Sequence, residues 1–434
     1  MVFFWFRRDL RLDDNIALYK ALVSYKDVQC IFIFDKNILN KLPDKSDRRV
    51  EFIHQQLESI HRELQSFGSA LWVFNDSPKS VFEQLTSKYN ITDVYSNEDY
   101  EPYALERDAS IKSCLEKQHI TFHQEKDQVI FHKNDVLKKD GTPYTVYTPY
   151  SKEWKRKYSE LSFDFTPINN FKEKFHKTDT QQFLSLEDIG FTSSKLPSLP
   201  LEMKGRIDPD YAEHRDYPAL DVTSKLSVAL RFGTLSIRKL SIQAQKESPH
   251  FLNELIWREF FQTILYHKPK SAEQNFKAAY DHIEWENNET HFKAWCEGRT
   301  GYPMVDAGMR ELNSTGLMHN RVRMVVASFL CKHLLIDWRW GAQYFADKLL
   351  DFDLASNTGN WQWAAGTGCD SAPYFRVFNP EIQLKKFDSK LTYIRKWIPE
   401  IDDPFEYPKP IVEHKFARER AIERYKKGLQ SEKV

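Results

Sequence analysis

Several things are missing from this chain of 434 residues. It carries no net charge, with 62 basic and 62 acidic side chains. That excludes a generally polycationic nucleic-acid coat, but not a local basic face. Cysteine is scarce: Cys30, Cys114, Cys296, Cys331 and Cys369 are scattered, form no CxxC pair and have no histidine at metal spacing. A reduced, intracellular, metal-free protein is expected. No apolar run reaches the roughly 18 residues of a membrane span, and the N-terminal MVFFWFRRDL is too short for a signal peptide. There is no GxGxxG and no GxxxxGK[ST], so both standard phosphate loops are absent. Internal repeats and low-complexity tracts are also lacking, and no Ser-His-Asp, Cys-His or two-carboxylate pattern stands out as a hydrolytic site.

Aromatic residues are plentiful, at 14% of the chain. They make aromatic-rich cores or line a pocket for a flat ligand. The length suggests about two to four domains.

Over the first 130 residues, strand and helix signals alternate. Short apolar runs at 2–6, 28–35, 70–74, 93–95 and 120–123 read as buried strands. Val50, Ile53, Leu57, Ile60, Leu64 and Phe67 recur at helical spacing, with Gly68 as the stop. Such alternation predicts a doubly wound parallel sheet with helices on both faces. From 131 to 205 the pattern fails. GTPYTVYTPY and KLPSLPLEMKG are turn-rich and read as an inter-domain linker. From 206 to 434 strand signals vanish. FLNELIWREFFQTILYH, RVRMVVASFLCKHLLIDW and GAQYFADKLLDFDL carry helical apolar stripes, and ARERAIERYKKGLQSEKV reads as a charged final helix. The expected architecture is thus an α/β domain, a long linker and an all-α domain.

Four clusters could carry chemistry. Glu254, Trp257, Arg258 and Phe261 share one helix face, which is also what an amphipathic helix with a salt bridge would show. In TGLMHNRVRM, Asn320, Arg321, Arg323 and Met324 lie within about one turn. In DFDLASNTGNWQW, Asp351 and Asp353 precede Asn357; without a histidine partner or EF-hand spacing they suit hydrogen bonding to an organic ligand better than a metal. TSKLS, residues 223–227, is a hydroxyl-rich turn opening a helix, a place for phosphate or simply an ordinary N-cap. Trp361 and Trp363 share a face if extended and point apart if helical. Rings, amides, arginines and a phosphate turn together suit a flat, phosphorylated cofactor beside a nucleic acid.

WFRRDLRLDDN at 5–15, TSKLS at 223–227, NELIWREF at 253–260, GYPMVDAGMRELNSTG at 301–316, MHNRVRM at 318–324 and NWQWAAGTG at 360–368 resemble the photolyase/cryptochrome family, in its order and spacing over nearly the whole chain. The resemblance implies an N-terminal α/β antenna-type domain (1–130), a linker (131–205) and a helical domain (206–434) that binds FAD and DNA. Asn320 and Met324 stand where 6-4 photoproduct enzymes place histidines, Asn357 where signalling members carry Asp or Cys, and WQW where DASH-type members read WQY. The chain also ends near the family's domain end, with no long signalling tail expected. Together these features are most like class I enzymes that repair cyclobutane pyrimidine dimers with light, using reduced FAD and a flipped-out dimer. A blue-light receptor of cryptochrome type, or a flavin protein bound to DNA without photochemistry, are the alternatives.

By the same resemblance, Glu254, Trp257, Asn320, Met324 and Trp363 contact the dimer, with Glu254 expected as a neutral acid in a dry pocket. Trp285, Trp338 and Trp361 form an electron relay. Tyr211, Thr223, Ser224, Lys225, Leu226, Ser227, Arg323, Asp351, Asp353 and Asn357 bind FAD, with an ion pair between Arg323 and Asp351. Arg215, Arg258, Arg321 and Arg376 hold UV-damaged DNA. Phe251 and Leu317 depart from common family residues. Folate-binding members carry an Asn-Glu pair soon after a Tyr-Glu. Here Tyr103-Ala104 follows Tyr100-Glu101, so a folate antenna lacks its carboxylate; a deazaflavin, a flavin or no antenna remain. A cytoplasmic monomer, without membrane partners or metal, is expected.

Overall fold

Each apolar run expected as a strand is one. In the computed structural model, which describes residues 1–178, 183–194, 196–197, 199–200 and 202–431, the strands are β1 (Val2–Phe6), β2 (Val28–Asp35), β3 (Trp72–Asp76), β4 (Asp93–Asn97) and β5 (Thr121–Glu125). They form a parallel sheet in the order β3-β2-β1-β4-β5. All residues of β1, β2 and β4 are buried, as a sheet covered on both faces requires. The helices between strands, Ile16–Ser24, Arg48–Ser66, Pro78–Lys88 and Pro102–Glu116, make the crossovers.

Contacts divide the chain into two units that are not contiguous in sequence. The sheet unit contains 1–135, 155–206 and 225–246; the helical unit contains 136–154, 207–224 and 247–434. Charges explain why 225–246 joins the sheet unit. Asp127, buried, accepts hydrogen bonds from Arg11 and Arg238, both at 2.8 Å, and Arg238 also pairs with Asp14. Burial opposes ionisation of Asp127, but the two guanidiniums prevail and hold its carboxyl below the usual range. Arg11 and Asp14 of the WFRRDLRLDDN stretch therefore have a structural use.

The region 131–205 differs from a plain connector. It contains a helix, Tyr147–Tyr158, whose Tyr150 and Trp154 are buried in the helical unit. Trp154 Nε1 donates to Glu259 at 2.7 Å. Its apolar positions are Tyr and Trp set among Lys, Glu and Arg behind a Pro/Gly-rich stretch, which masks the helical period. Parts of the expected linker, and residues 432–434 of the expected final helix, lie outside the described residues.

Two long patterns of the helical unit are broken where the sequence suggested continuity. Asn320–Ser328 gives way to a wider turn over Phe329–His333, with Leu334 N bonded to Phe329 O (3.1 Å). Trp338–Lys348 stops before DFDL, and Leu354–Ala365 starts afresh with Asp353 as N-cap, its Oδ1 accepting from Ser356 N at 2.9 Å. Helix contacts in the core are close because glycines stand at them. A Cβ on Gly341 would collide with the Trp361 ring, and one on Gly359 with the Phe261 ring.

Candidate functional site

Trp361 and Trp363 are helical, so they point apart, and both nevertheless border one cavity in the helical unit. Its walls also include Asn320, Arg323, Met324, Asp351, Asp353 and Asn357. The geometry follows from the helix breaks just described: Asn320–Ser328 supplies Asn320, Arg323 and Met324 at helical spacing, the 349–353 break supplies the two acids, and Leu354–Ala365 supplies the amide and the indoles. Ser356, Asn360, Phe345 and Leu349 line it too. Asn360 is three residues from both Asn357 and Trp363, and Ser356 is seven before Trp363, a helical spacing that the sequence itself carries.

The ion pair expected between Arg323 and Asp351 is present. Arg323 Nη2 reaches the two carboxylate oxygens at 2.9 and 3.2 Å, while its Nε donates to Met318 O at 2.8 Å. Asn357 Nδ2 donates to Ala342 O at 3.0 Å, leaving its carbonyl oxygen as the end open to a donor. Asp353 has a second occupation as the helix cap.

Other expected residues lie outside the lining of this cavity. Glu254, expected as a neutral acid in a dry pocket, is instead ion-paired with Arg215 and 31% exposed. Trp257 is stacked face to face on Tyr147, centroids 3.6 Å apart and planes 4° apart, and Tyr147 OH donates to Asn253 O at 2.9 Å. Burial, then the Glu254 charge, pushes the Tyr147 phenol up and that of Tyr211 to about 12. Tyr147 and Glu254 were legible only apart, since nothing in sequence joins positions so distant. Arg215 also covers the ring of Tyr211 at 5.2 Å, and Tyr211 meets Phe251 edge-on at 5.4 Å. Arg321 pairs with Asp216 at 2.6 Å, and Arg258 and Arg376 are half-buried and exposed respectively. In the TSKLS turn, the N-cap of the short Ser227–Phe232 helix is Leu226, whose apolar side chain cannot cap, so the Thr/Ser cap allowed by the sequence does not form there. Lys225 adopts a left-handed backbone (φ 55°), an uncommon conformation for a residue with a Cβ.

The three relay candidates belong to one aromatic core: Trp338 and Trp361 are buried in it and Trp285 is packed against it. Trp338 Nε1 donates to Asn275 Oδ1 at 2.8 Å. Trp361 Nε1 is buried and makes no hydrogen bond. Buried indole N–H groups normally find a partner, so an unpaired donor beside a cavity fits a ligand with acceptor atoms. The lining therefore fits FAD by its chemistry: an ion pair, an amide, an unpaired N–H and apolar walls.

Comparison with known proteins agrees with this fit. Residues 2–171 match the family model for DNA photolyase and residues 251–427 that for the FAD binding domain of DNA photolyase. A deoxyribodipyrimidine photo-lyase of Synechococcus is 37% identical over 92% of this chain and 88% of its own length, and that of Escherichia coli is 35% identical over 97% of both. The chain belongs to the DNA photolyase family. Among solved structures of the family, a class III photolyase of Agrobacterium tumefaciens superposes with a TM-score of 0.85 at 33% identity, over 99% of this chain and 98% of that one. An archaeal photolyase of Sulfolobus tokodaii, solved with two FAD molecules, gives 0.82 at 35%, over 98% and 99%. A Synechocystis cryptochrome gives 0.85 at 26% identity, covering 98% of both chains. Family membership accounts for the α/β unit, the helical unit and the FAD domain together. In the Tyr100–Ala104 stretch, Glu101 is committed to Arg8 (3.0 Å) and Arg231 (3.2 Å), and Tyr103 OH to Asp35 (2.5 Å).

Proposed function

We propose that this chain is a deoxyribodipyrimidine photo-lyase that uses light to reopen cyclobutane pyrimidine dimers in DNA. The observation that carries the reading is the makeup of one cavity wall. Asn320, Met324 and Trp363 border the same space as Arg323, Asp351, Asn357 and Trp361, and the first three offer amide and apolar surface with no group able to donate a proton as an acid. A 6-4 photoproduct needs such a donor; a cyclobutane dimer does not.

When bound, reduced FAD would supply light-driven one-electron chemistry toward the dimer. The protein's part is to hold and to exclude water. Arg323, Asp351 and Asn357 hold the cofactor, with Asp353 and Tyr211 as further candidates; Thr223–Ser227 rest on the family resemblance alone. Asn320 offers hydrogen bonds to the pyrimidine edges, and Met324 and Trp363 give dry contact. Glu254 can serve a dimer only by sharing itself with Arg215, so its pairing must loosen when substrate enters. Trp257, braced by Tyr147, presents a second flat surface. Trp361, Trp338 and Trp285 give the protein its own path for recharging the cofactor. The DNA-facing side chains are Arg215, Arg258, Arg321 and Arg376, which position the backbone without reading sequence.

In this reading residues 1–130 are an antenna-type domain whose pigment, if any, is a deazaflavin or a flavin and not a folate, and the protein works as a monomer in the cytoplasm. Among the described residues no helix is long and apolar enough to cross a membrane. The reading is tested by illuminating the reduced protein with an oligonucleotide carrying either lesion. Reversal of the cyclobutane dimer alone supports it. Reversal of the 6-4 product, or photoreduction of FAD with no repair of either, overturns it, and the latter assigns the chain to signalling.

A further inference from the structure

Asp216 lies in none of the motifs that carry the family resemblance, yet it pairs with Arg321, one of the expected DNA-facing charges, and follows another, Arg215, in the chain. It follows Arg215 on the chain, and the two neighbours make ion pairs of opposite sense. Arg215 pairs with Glu254 of the Pro249–His267 helix, while Asp216 Oδ2 takes Arg321 Nη2 of the Asn320–Ser328 helix at 2.6 Å. The guanidinium of Arg321 lies over the Phe387 ring at 4.5 Å, and its Nε is buried with no hydrogen bond. Arg321 is therefore held by stacking as well as by its ion pair with Asp216. The side chains of Asp216 and Arg321 are 33% and 19% exposed, so water and ions reach the pair. Burial lowers the nearby His319 to about 4, against the pull of the Asp216 charge and with the help of Arg323, Arg321 and Arg215, so it is neutral.

We infer that Asp216 is a specificity-determining residue: its carboxylate occupies Arg321 in the DNA-free protein, so that a backbone phosphate has to displace it. The inference rests on the reading above, in which Arg321 holds DNA. Phosphates are alike in damaged and intact duplex, so an unoccupied arginine would strengthen both equally and bind the great excess of intact DNA. An internal carboxylate takes that gain away, because the phosphate contact costs an ion pair and meets a like charge. The exchange is then driven by contacts that only a lesion makes. Asn320, the residue before Arg321, lines the cavity and is placed to make them. Discrimination obtained in this way is a difference of affinities with a repulsive element set against the wrong partner.

Asp216→Asn keeps the shape and removes the charge. The test is binding in the dark, by fluorescence anisotropy of the FAD-loaded protein, to one duplex with a thymine dimer and the same duplex intact, over a range of salt. The variant is expected to bind the intact duplex about two- to fivefold more tightly, the scale of one exposed ion pair gained. Its salt slope should steepen by about one phosphate contact. Dimer affinity rises less, so the preference shrinks. Adding Arg321→Gln to Asp216→Asn should abolish the gain, which separates charge release from a change in folding. A wild-type protein with no preference for the dimer overturns the parent reading. A wild-type preference that Asp216→Asn leaves as large or larger overturns only the role of Asp216, and so does a gain that survives the loss of Arg321.

Discussion

Gly341 is the position at which a single methyl group should disturb the cavity without touching any polar group in it. It lies within the Trp338–Lys348 helix, and a Cβ there would stand 2.5 Å from Cζ3 of Trp361 and 2.6 Å from Cδ2 of Leu330, with Cη2 of the indole closer still. Carbon atoms rest at about 3.5–4 Å, so the indole must move by roughly 1 Å or the helices must part. Overpacking of this kind costs about 1–3 kcal/mol, and alanine returns about 1 kcal/mol through helix propensity. Trp361 is 2% exposed in a dense core, so the upper part of the range applies and a net loss of about 1–2 kcal/mol is expected. Because Trp361 borders the cavity, a share of that cost falls on FAD binding, where about 1.4 kcal/mol is a tenfold loss of affinity. Gly341→Ala should therefore lower both the denaturant midpoint and the FAD retained through purification. Trp361→Phe removes the outer ring that collides, so the double variant should recover part of the stability lost in Gly341→Ala, a coupling of favourable sign. Unchanged midpoint and unchanged FAD content would refute the reasoning.

Other perturbations have equally definite outcomes. Asp351→Asn leaves Arg323 unpaired in a mostly buried position, at a cost of about 1–3 kcal/mol after allowance for the 26% exposure of Arg323, and FAD content should fall; an unaltered flavin spectrum and content would contradict the assignment. Trp361→Phe should sharply slow photoreduction of the FAD that stays bound, and undiminished photoreduction would remove Trp361 from the electron path. Lys332 is 1% exposed, its ammonium donating to Ala365 O at 2.8 Å and lying 3.6 Å from the centre of the Tyr425 ring. Burial lowers it from 10.5 to about 7. The unfolded chain then binds more protons than the folded one between about pH 7 and 10, so this group makes stability rise with pH across that window, by at most about 5 kcal/mol at ~1.4 kcal/mol per tenfold change in proton affinity. Below about pH 7 both states are protonated and the penalty is constant. Lys332→Met should flatten the rise, and an identical slope in both proteins would disprove it.

Much of the fold could be read in advance because its signals are local. Continuous apolar runs such as VFFWF and VQCIFIFD can only be buried strands, and the helical recurrence from Val50 to Leu64 is uninterrupted. Local signals failed where tertiary contacts decide. The helix Tyr147–Tyr158 is hidden because it packs with tyrosine and tryptophan, and the helix that ends at Lys348 gives way to Leu349 in an extended conformation where the apolar pattern continues. At the site, the helical spacing of Asn320 and Met324 sufficed to place both on one wall. The state of Glu254 was not legible, since it depends on Arg215, which lies 39 residues away in the chain. The same holds for Asp216, whose importance appears only when Arg321 is seen beside it.

The central claim is that the helical unit holds FAD where light can act on a dimer through it. The most direct measurement is the recovery of thymine absorbance during blue illumination of a dimer-containing oligonucleotide, with the reduced protein either FAD-loaded or stripped of flavin. The account predicts recovery with the loaded protein in the light, none in the dark, and none with the stripped protein until FAD is restored. A yellow, reduced protein that binds the dimer and never restores the absorbance would contradict it.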